Sequence, residues 1–357
     1  MNFKRLGLGA IVSAITFAGD SMALNLPSVF SDNMVLQRNQ EVRIWGESDS
    51  DKVAVYFDDQ IVSTKVVNKS WEVRLKPMKV NTTAQVLKVR DQEKTVEFKN
   101  VLVGDVFFCS GQSNMEMPVT HSSDCKELVA NSKNDQIRIC SSIQAISSEP
   151  LEDFAKGVNG WQEASPESLA TSGVIPKRGF SGTSYSFAYH LQKETGVPVG
   201  VFVSAWGGVP IHAFTDKDGI KQYKSKVSGK GKHSPSSLYN ALVHPITKFN
   251  IAGWVWYQGE EDVKVKDYDH RMEVMIERWR KVWGTPNKPF YYVQICPFSY
   301  KGVKIEDFWK QQHAVAKNVK NTYMVETEDI GNLRDIHPHN KVVLGKRLAD
   351  LLIQKSK

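Results

Sequence analysis

Cysteine is scarce in this chain: four residues out of 357, at Cys109, Cys125, Cys140 and Cys296. That excludes a disulfide-built fold, and none of the four has zinc-ligand spacing. Cys109 and Cys296 sit in apolar, strand-like runs and read as buried thiols. Cys125 and Cys140 are the pair an exported chain could oxidise. Low-complexity tracts and short-period repeats are absent, which excludes solenoid and fibrous architectures. Past residue 23 no apolar run is long enough to cross a bilayer, so no membrane insertion is expected. The formal net charge of +7 is spread thinly apart from Lys221–Lys232. With Tyr223 as its single aromatic, that stretch reads as a solvated loop, and no nucleic-acid partner is expected.

What is present is ordinary for a soluble globular protein: 41% hydrophobic and 24% charged residues, in a chain long enough for two domains. The opening 23 residues have the pattern of a secretory signal. Lys4 and Arg5 form a positive start, Leu6 to Gly19 is apolar or small, and Ser21-Met22-Ala23 offers a small-x-small cleavage site. The mature chain is expected to be exported, periplasmic or extracellular, and to begin near Leu24.

From 24 to 100, short alternating runs recur about every ten residues, at Glu41–Trp45, Lys52–Phe57, Gln60–Val67, Trp71–Leu75, Ala84–Arg90 and Thr95–Phe98. Asp, Ser and Asn turns separate them, which predicts a small β-sandwich. Trp71, Trp161 and Trp206 read as exposed, and with the sandwich they suit sugar stacking. From 101 to 357 strands alternate with helices. Val101–Phe108, Val197–Val203, Ile251–Tyr257, Pro289–Ile295 and Thr322–Glu326 read as strands. Thr183–Thr195, Tyr268–Trp283 and Lys341–Gln354 read as helices. This rhythm predicts an α/β domain, a parallel sheet with helices on both faces, whose site lies beyond the C-terminal strand ends.

Those strand ends carry a short set of chemical groups. The first leads into Ser110-Gly111-Gln112-Ser113-Asn114, the second into Ser204-Ala205-Trp206-Gly207-Gly208, the third into Gln258-Gly259-Glu260, and the last into Asp335-Ile336-His337-Pro338. A hydroxyl nucleophile, bare backbone amides, a side-chain amide and an Asp/His pair are what serine-hydrolase chemistry requires. In this reading Ser113 attacks an ester carbonyl, His337 is the base, and Asp335 orients the imidazole. Glu260 is an alternative acid for that role. The oxyanion would meet the Ser113 N–H, a Gly207 or Gly208 N–H and the Gln258 amide. A metal site built from Asp335, His337 and His339 has the wrong spacing for a helix-borne cluster, so no metal is expected.

The same residues resemble the ordered blocks of the SGNH/GDSL hydrolases: Gly111-Gln112-Ser113-Asn114-Met115, Trp206-Gly207-Gly208, Trp256-Tyr257-Gln258-Gly259-Glu260 and Asp335-Ile336-His337-Pro338. Within them the pattern is most similar to the sialate O-acetylesterase branch, which also holds acetylxylan-esterase-like members. The likeness continues through Gly196–Gly200, Leu238–Leu242 and Lys341–Ala349. It implies a three-layer α/β/α fold, no cofactor, and release of acetate from acetylated sugars. It also implies Ser113 as nucleophile, His337 as base, Asp335 as third member, and Gln258 in the place other members give an oxyanion-hole asparagine. Two departures stand out. Glu261-Asp262 replaces the usual Ser-Asn, adding charge that would raise the pKa of His337 or alter substrate choice. Only the basic stretch to Lys232 fills the place of a long inserted domain. The substrate stays open between acetylated sialic acid and acetylxylan or another plant polysaccharide. Arg178 and Arg334 are the guanidinium groups nearest in sequence to the site loops. A catalytically silent glycan-binding protein is the competing reading.

Overall fold

The computed structural model of this protein describes residues 24–356, so the expected signal segment lies outside the described residues. Six short strands come first: β1 (Val35–Gln37), β2 (Val42–Glu47), β3 (Lys52–Phe57), β4 (Gln60–Lys65), β5 (Ser70–Leu75) and β6 (Asn81–Arg90). Every second residue of β3 and β5 is buried: Val53, Val55 and Phe57 on one, Trp71, Val73 and Leu75 on the other. That period of two puts both strands' apolar sides into one shared core. β2 pairs with β5, while β4, β3, β6 and β7 (Thr95–Gly111) make a second antiparallel ladder.

β7 is the spine of the molecule. Its first residues pair with β6; from Asp105 onward it pairs in parallel with β10 (Val199–Ala205) and β11 (Gly253–Tyr257). The expected boundary between 100 and 101 therefore falls inside one continuous strand. Between β7 and β10 lie α1 (Ser113–Glu116), α2 (Lys126–Ala130), β8 (Asn134–Ser141), β9 (Gln162–Ala164), α3 (Pro166–Thr171) and α4 (Gly182–Thr195). After β10 come α5 (Lys217–Ile220), β11, α6 (Tyr268–Trp283), β12 (Phe290–Val293), α7 (Ile305–Asn318), β13 (Thr322–Val325) and α8 (Lys341–Lys355).

The sheet order is β13-β12-β11-β7-β10-β8-β9, parallel throughout except for β9. From β7 the chain forms β8 and β9, returns to place β10 between β8 and β7, and then builds β11, β12 and β13 outward on the other side. The strand that leads into Ser113 therefore sits at the point where strand order reverses, the position where α/β sheets open a crevice.

Alternation along the strands divides the core in two. Phe108, Phe202, Trp254 and Trp256 face α6 and α7, while Phe107, Cys109, Val201, Val203, Val255 and Tyr257 face α4 and α8. Each such side chain, fully buried, contributes about 2 kcal/mol. α4 and α8 approach closely at Gly345, where a Cβ would meet the Ser186 Oγ at 2.3 Å. This is the α/β fold with helices on both sheet faces that the sequence predicts.

The same alternation decides the cysteines. All four are buried, free thiols. Cys140 faces the α6 side and Cys125 the α4 side, so the disulfide considered for them does not form. Trp71 and Trp161 are core residues, 4% and 2% exposed, rather than surface platforms. Among the described residues no helix is long and apolar enough to cross a membrane.

Candidate active site

The site forms where β7, β10 and β11 end. The Gln112 N–H donates to the Tyr257 carbonyl (3.0 Å), and the Trp206 N–H to the Gly111 carbonyl (3.2 Å), lacing the three ends together. Gly111 takes φ +144°, and a Cβ there would lie 2.0 Å from the Tyr257 carbonyl oxygen. Only glycine lets the chain turn this sharply beside its neighbour. Ser113 follows as the first residue of α1.

His337 comes from the loop between β13 and α8, and its Nε2 lies 2.9 Å from the Ser113 Oγ. Two residues 224 positions apart are thus in hydrogen-bond contact. With Nε2 accepting from the hydroxyl, the ring proton resides on Nδ1. Burial pushes the His337 pKa below its ordinary value, and nearby Lys341 pushes it the same way. Asp335 pulls it upward and His339 downward. The expected upward shift from Glu261 and Asp262 is absent: Glu261 points to solvent, and Asp262 is spent elsewhere.

Asp335 shapes the loop. Its Oδ1 accepts from the His337 main-chain N–H (2.8 Å), and its Oδ2 is 3.6 Å from His339 Nε2. Among the described residues no hydrogen bond joins its carboxylate to the His337 ring, so its influence on that ring is through space. Among the described residues Glu260 makes no hydrogen bond to His337 either. Its Oε1 accepts from the Asn114 Nδ2 (2.5 Å), and burial raises its pKa.

The oxyanion donors differ from expectation. Gln258 is fully buried and its Nε2 is committed to the Val209 carbonyl (3.1 Å) and Asp262 Oδ2 (2.6 Å). Its Oε1 accepts from the Tyr268 hydroxyl (2.9 Å). It therefore offers no donor to Ser113. Asp262, pushed up to about 6 by burial, holds it there and also accepts from the Ile211 N–H. Gly207 does lie against Ser113, since a Cβ on it would be 3.2 Å from Ser113 Cβ. Its N–H donates to Glu116 Oε2 at 2.5 Å. The Ser113 and Gly208 N–H groups make no hydrogen bond among the described residues.

The Gly207-Gly208 turn is gripped from behind. Lys232 Nζ donates to the Gly207 carbonyl and His233 Nε2 to the Gly208 carbonyl, both at 2.6 Å. Lys232 also lies 5.9 Å from the centre of the half-buried Trp206 ring. The end of the basic stretch is therefore built into the site rather than solvated. Sequence reasoning missed this grip, and it missed Glu116, whose only signal was its place three residues after Ser113 on the same helical face.

A cavity of about 240 Å³ opens on this group. Ser113, His337, Glu116 and Gly207 line it together with apolar Val174 and Ile175, and with His121 and Arg178. Arg178 makes no ion pair among the described residues. Arg334 lies outside the cavity. Among the described residues no group of three or more His, Cys, Asp or Glu could hold a metal ion.

Comparison with known proteins agrees with this architecture. Residues 103–354 match the family model described as carbohydrate esterase, sialic acid-specific acetylesterase. The sialate O-acetylesterases of Homo sapiens and Pongo abelii are each 29% identical to this chain over 390 residues, covering 96% of it and 73% of their own length. The crystal structure of a carbohydrate acetylesterase from Xanthomonas citri is 32% identical, with a TM-score of 0.83 over 91% of this chain and 73% of that one. The chain belongs to the sialic acid-specific acetylesterase family of carbohydrate esterases.

Proposed function

We propose that this protein is a serine esterase that removes acetyl groups from O-acetylated sialic acids, with Ser113 as nucleophile and His337 as general base. The 2.9 Å contact between Ser113 Oγ and His337 Nε2, inside a cavity at the end of the central strand, carries the reading. Ser113 Oγ attacks the acetyl carbonyl carbon while its proton passes to His337 Nε2. The bond to the sugar oxygen then breaks, and that oxygen takes the proton from His337, leaving acetyl-Ser113. Water, deprotonated by the same imidazole, attacks the acyl carbon; the bond to Ser113 Oγ breaks, Oγ takes the proton back from His337, and acetate leaves. The Ser113 and Gly208 N–H groups are the free donors for the oxyanion, each worth about 3 kcal/mol of barrier. Asp335 assists by keeping the loop in shape and by its negative charge.

The sialate preference is supported by family membership and by Arg178, a guanidinium in the cavity of Ser113 that makes no ion pair among the described residues and has Glu116 as the carboxylate that feels its charge. We also take 24–100 as a β-sandwich domain, 101–357 as the esterase domain, and residues 1–23 as an export signal cleaved near Ala23. The test is acetate release from O-acetylated mucin sialic acid and from acetylxylan, with Ser113→Ala as control. Release from the sialic substrate that disappears in Ser113→Ala supports the reading. Preference for xylan would move the enzyme to plant polysaccharides. Activity surviving in Ser113→Ala would remove Ser113 from its role. A binding protein without catalysis would bind acetylated glycan yet leave Ser113 unlabelled by a fluorophosphonate.

A further inference from the structure

Directly behind the nucleophile lies a buried cluster that the chemistry above does not use. Asn114, Glu260 and Lys341 are 0%, 7% and 0% exposed. The Asn114 Oδ1 accepts from Lys341 Nζ (2.7 Å), and its Nδ2 donates to Glu260 Oε1 (2.5 Å) and to the Ile336 carbonyl (2.9 Å). Lys341 Nζ also stands 5.2 Å from the centre of the Tyr257 ring. Glu260 Oε2 has no partner among the described residues.

A primary amide has donors on one end and an acceptor on the other. A lysine ammonium can only donate, and a carbonyl can only accept. The Asn114 amide therefore has one permitted orientation, set by a cation at its oxygen and an anion at its nitrogen. Each contact comes from a different part of the chain. Asn114 follows the nucleophile on α1, Glu260 follows β11, Ile336 precedes His337, and Lys341 opens α8. Among the described residues, the Asn114–Ile336 bond and the Ser113–His337 contact itself are the two hydrogen bonds between the 332–339 loop and α1.

Burying two charges is costly, and apolar residues of similar size at such positions are often as stable or more so. Stability does not account for Glu260 and Lys341 here; orientation does. We propose that Asn114 is a positioning residue: held from its two ends by Glu260 and Lys341, it fixes the Ile336 carbonyl and thereby holds His337 against Ser113. This rests on the assignment of Ser113 and His337 as nucleophile and base.

The test is the double substitution Glu260→Leu with Lys341→Met, assayed with 4-nitrophenyl acetate beside Ser113→Ala and His337→Ala. The expected result is a folded protein whose melting temperature falls modestly because the buried Asn114 oxygen loses its donor, with kcat per folded molecule down tenfold or more and KM within twofold. A folded double variant with kcat within twofold overturns the proposal, as does a loss accounted for by the folded fraction alone. Should the double variant not fold, Asn114→Asp decides by the same readout, because it keeps the acceptor for Lys341 and removes the donor to Ile336. Activity persisting in Ser113→Ala or His337→Ala would instead strike the underlying assignment.

Discussion

The Gln258 amide and the Asp262 carboxylate meet at 2.6 Å in a fully buried contact, and that contact turns Gln258 away from Ser113. Gln258 here braces the loop after β11, reaching Val209 on one side and Tyr268 on another. Its substitution should therefore cost stability rather than catalysis. Gln258→Leu takes one of two hydrogen bonds from the buried Asp262 carboxylate, which keeps the Ile211 N–H, and one from the Tyr268 hydroxyl, which keeps the main-chain carbonyl of residue 258, a loss of about 1–3 kcal/mol in all. The expected outcome is a clearly lower melting temperature with kcat per folded molecule within a few-fold of the unmodified protein. An oxyanion donor would instead lose about 10²–10³ in kcat at unchanged stability.

The grip of Lys232 and His233 on the Gly207-Gly208 turn makes a second prediction. Two cationic or polar donors on consecutive carbonyls set the tilt of both peptide planes, and so the aim of the Gly208 N–H. Lys232→Met and His233→Ala should each lower kcat about tenfold, because the donor no longer points where charge develops. Both residues are half-buried on a surface segment, so melting temperature should move little. Steady-state kinetics alongside thermal melts checks this. An unchanged kcat in both variants would make the grip structural only.

How far the molecule could be read from its sequence follows from what each residue packs against. The strands and helices of 101–357 were legible where apolar runs had a clean period and ended in a cap, as at Tyr268–Trp283 or at Gly196, which closes α4 with φ +66°. β8 escaped because Arg138 interrupts its apolar pattern. That guanidinium is buried and bonds the Asn33 and Asn100 carbonyls, a use no local pattern announces. Ser113 and His337 could be singled out because each lies on a segment that leaves the C-terminal end of a strand of one sheet, and the structure brings the two side chains to 2.9 Å. Gln258 was misplaced because strand-end position says which residue is near the site but not where its side chain turns. The Asp262 carboxylate that captures it looked like one more solvent charge. Lys341 was illegible for the same reason: a lysine opening an amphipathic helix ordinarily faces water.

Arg178 supplies a test of substrate choice. It lines the cavity of Ser113 and makes no ion pair among the described residues, although its charge is felt by Glu116 in the same cavity, and a guanidinium so placed suits a sugar carboxylate. Arg178→Met should raise KM for O-acetylated sialic acid about tenfold or more while leaving 4-nitrophenyl acetate turnover within twofold. Equal losses on both substrates would place Arg178 in the general architecture of the pocket instead of in recognition.

The ionisation of His337 gives the last prediction. Burial removes water from the imidazolium, and Lys341 repels it, so its pKa lies below the ordinary 6.5 despite the opposing pull of Asp335. The proposed mechanism requires the neutral ring, because in it Nε2 accepts the Ser113 proton. Activity is therefore absent when pH is well below the His337 pKa, rises through it, and is level by neutrality. Two variants should move that acid limb in opposite directions. Asp335→Asn keeps an acceptor for the His337 N–H but removes the negative charge that raises the pKa, so the limb shifts to lower pH. Lys341→Met removes the repelling cation, so the limb shifts to higher pH, whatever the height of the plateau. Profiles of kcat/KM for 4-nitrophenyl acetate between about pH 4 and pH 8 read both shifts directly. If both limbs stay where the unmodified enzyme has its own, the group titrating there is not His337.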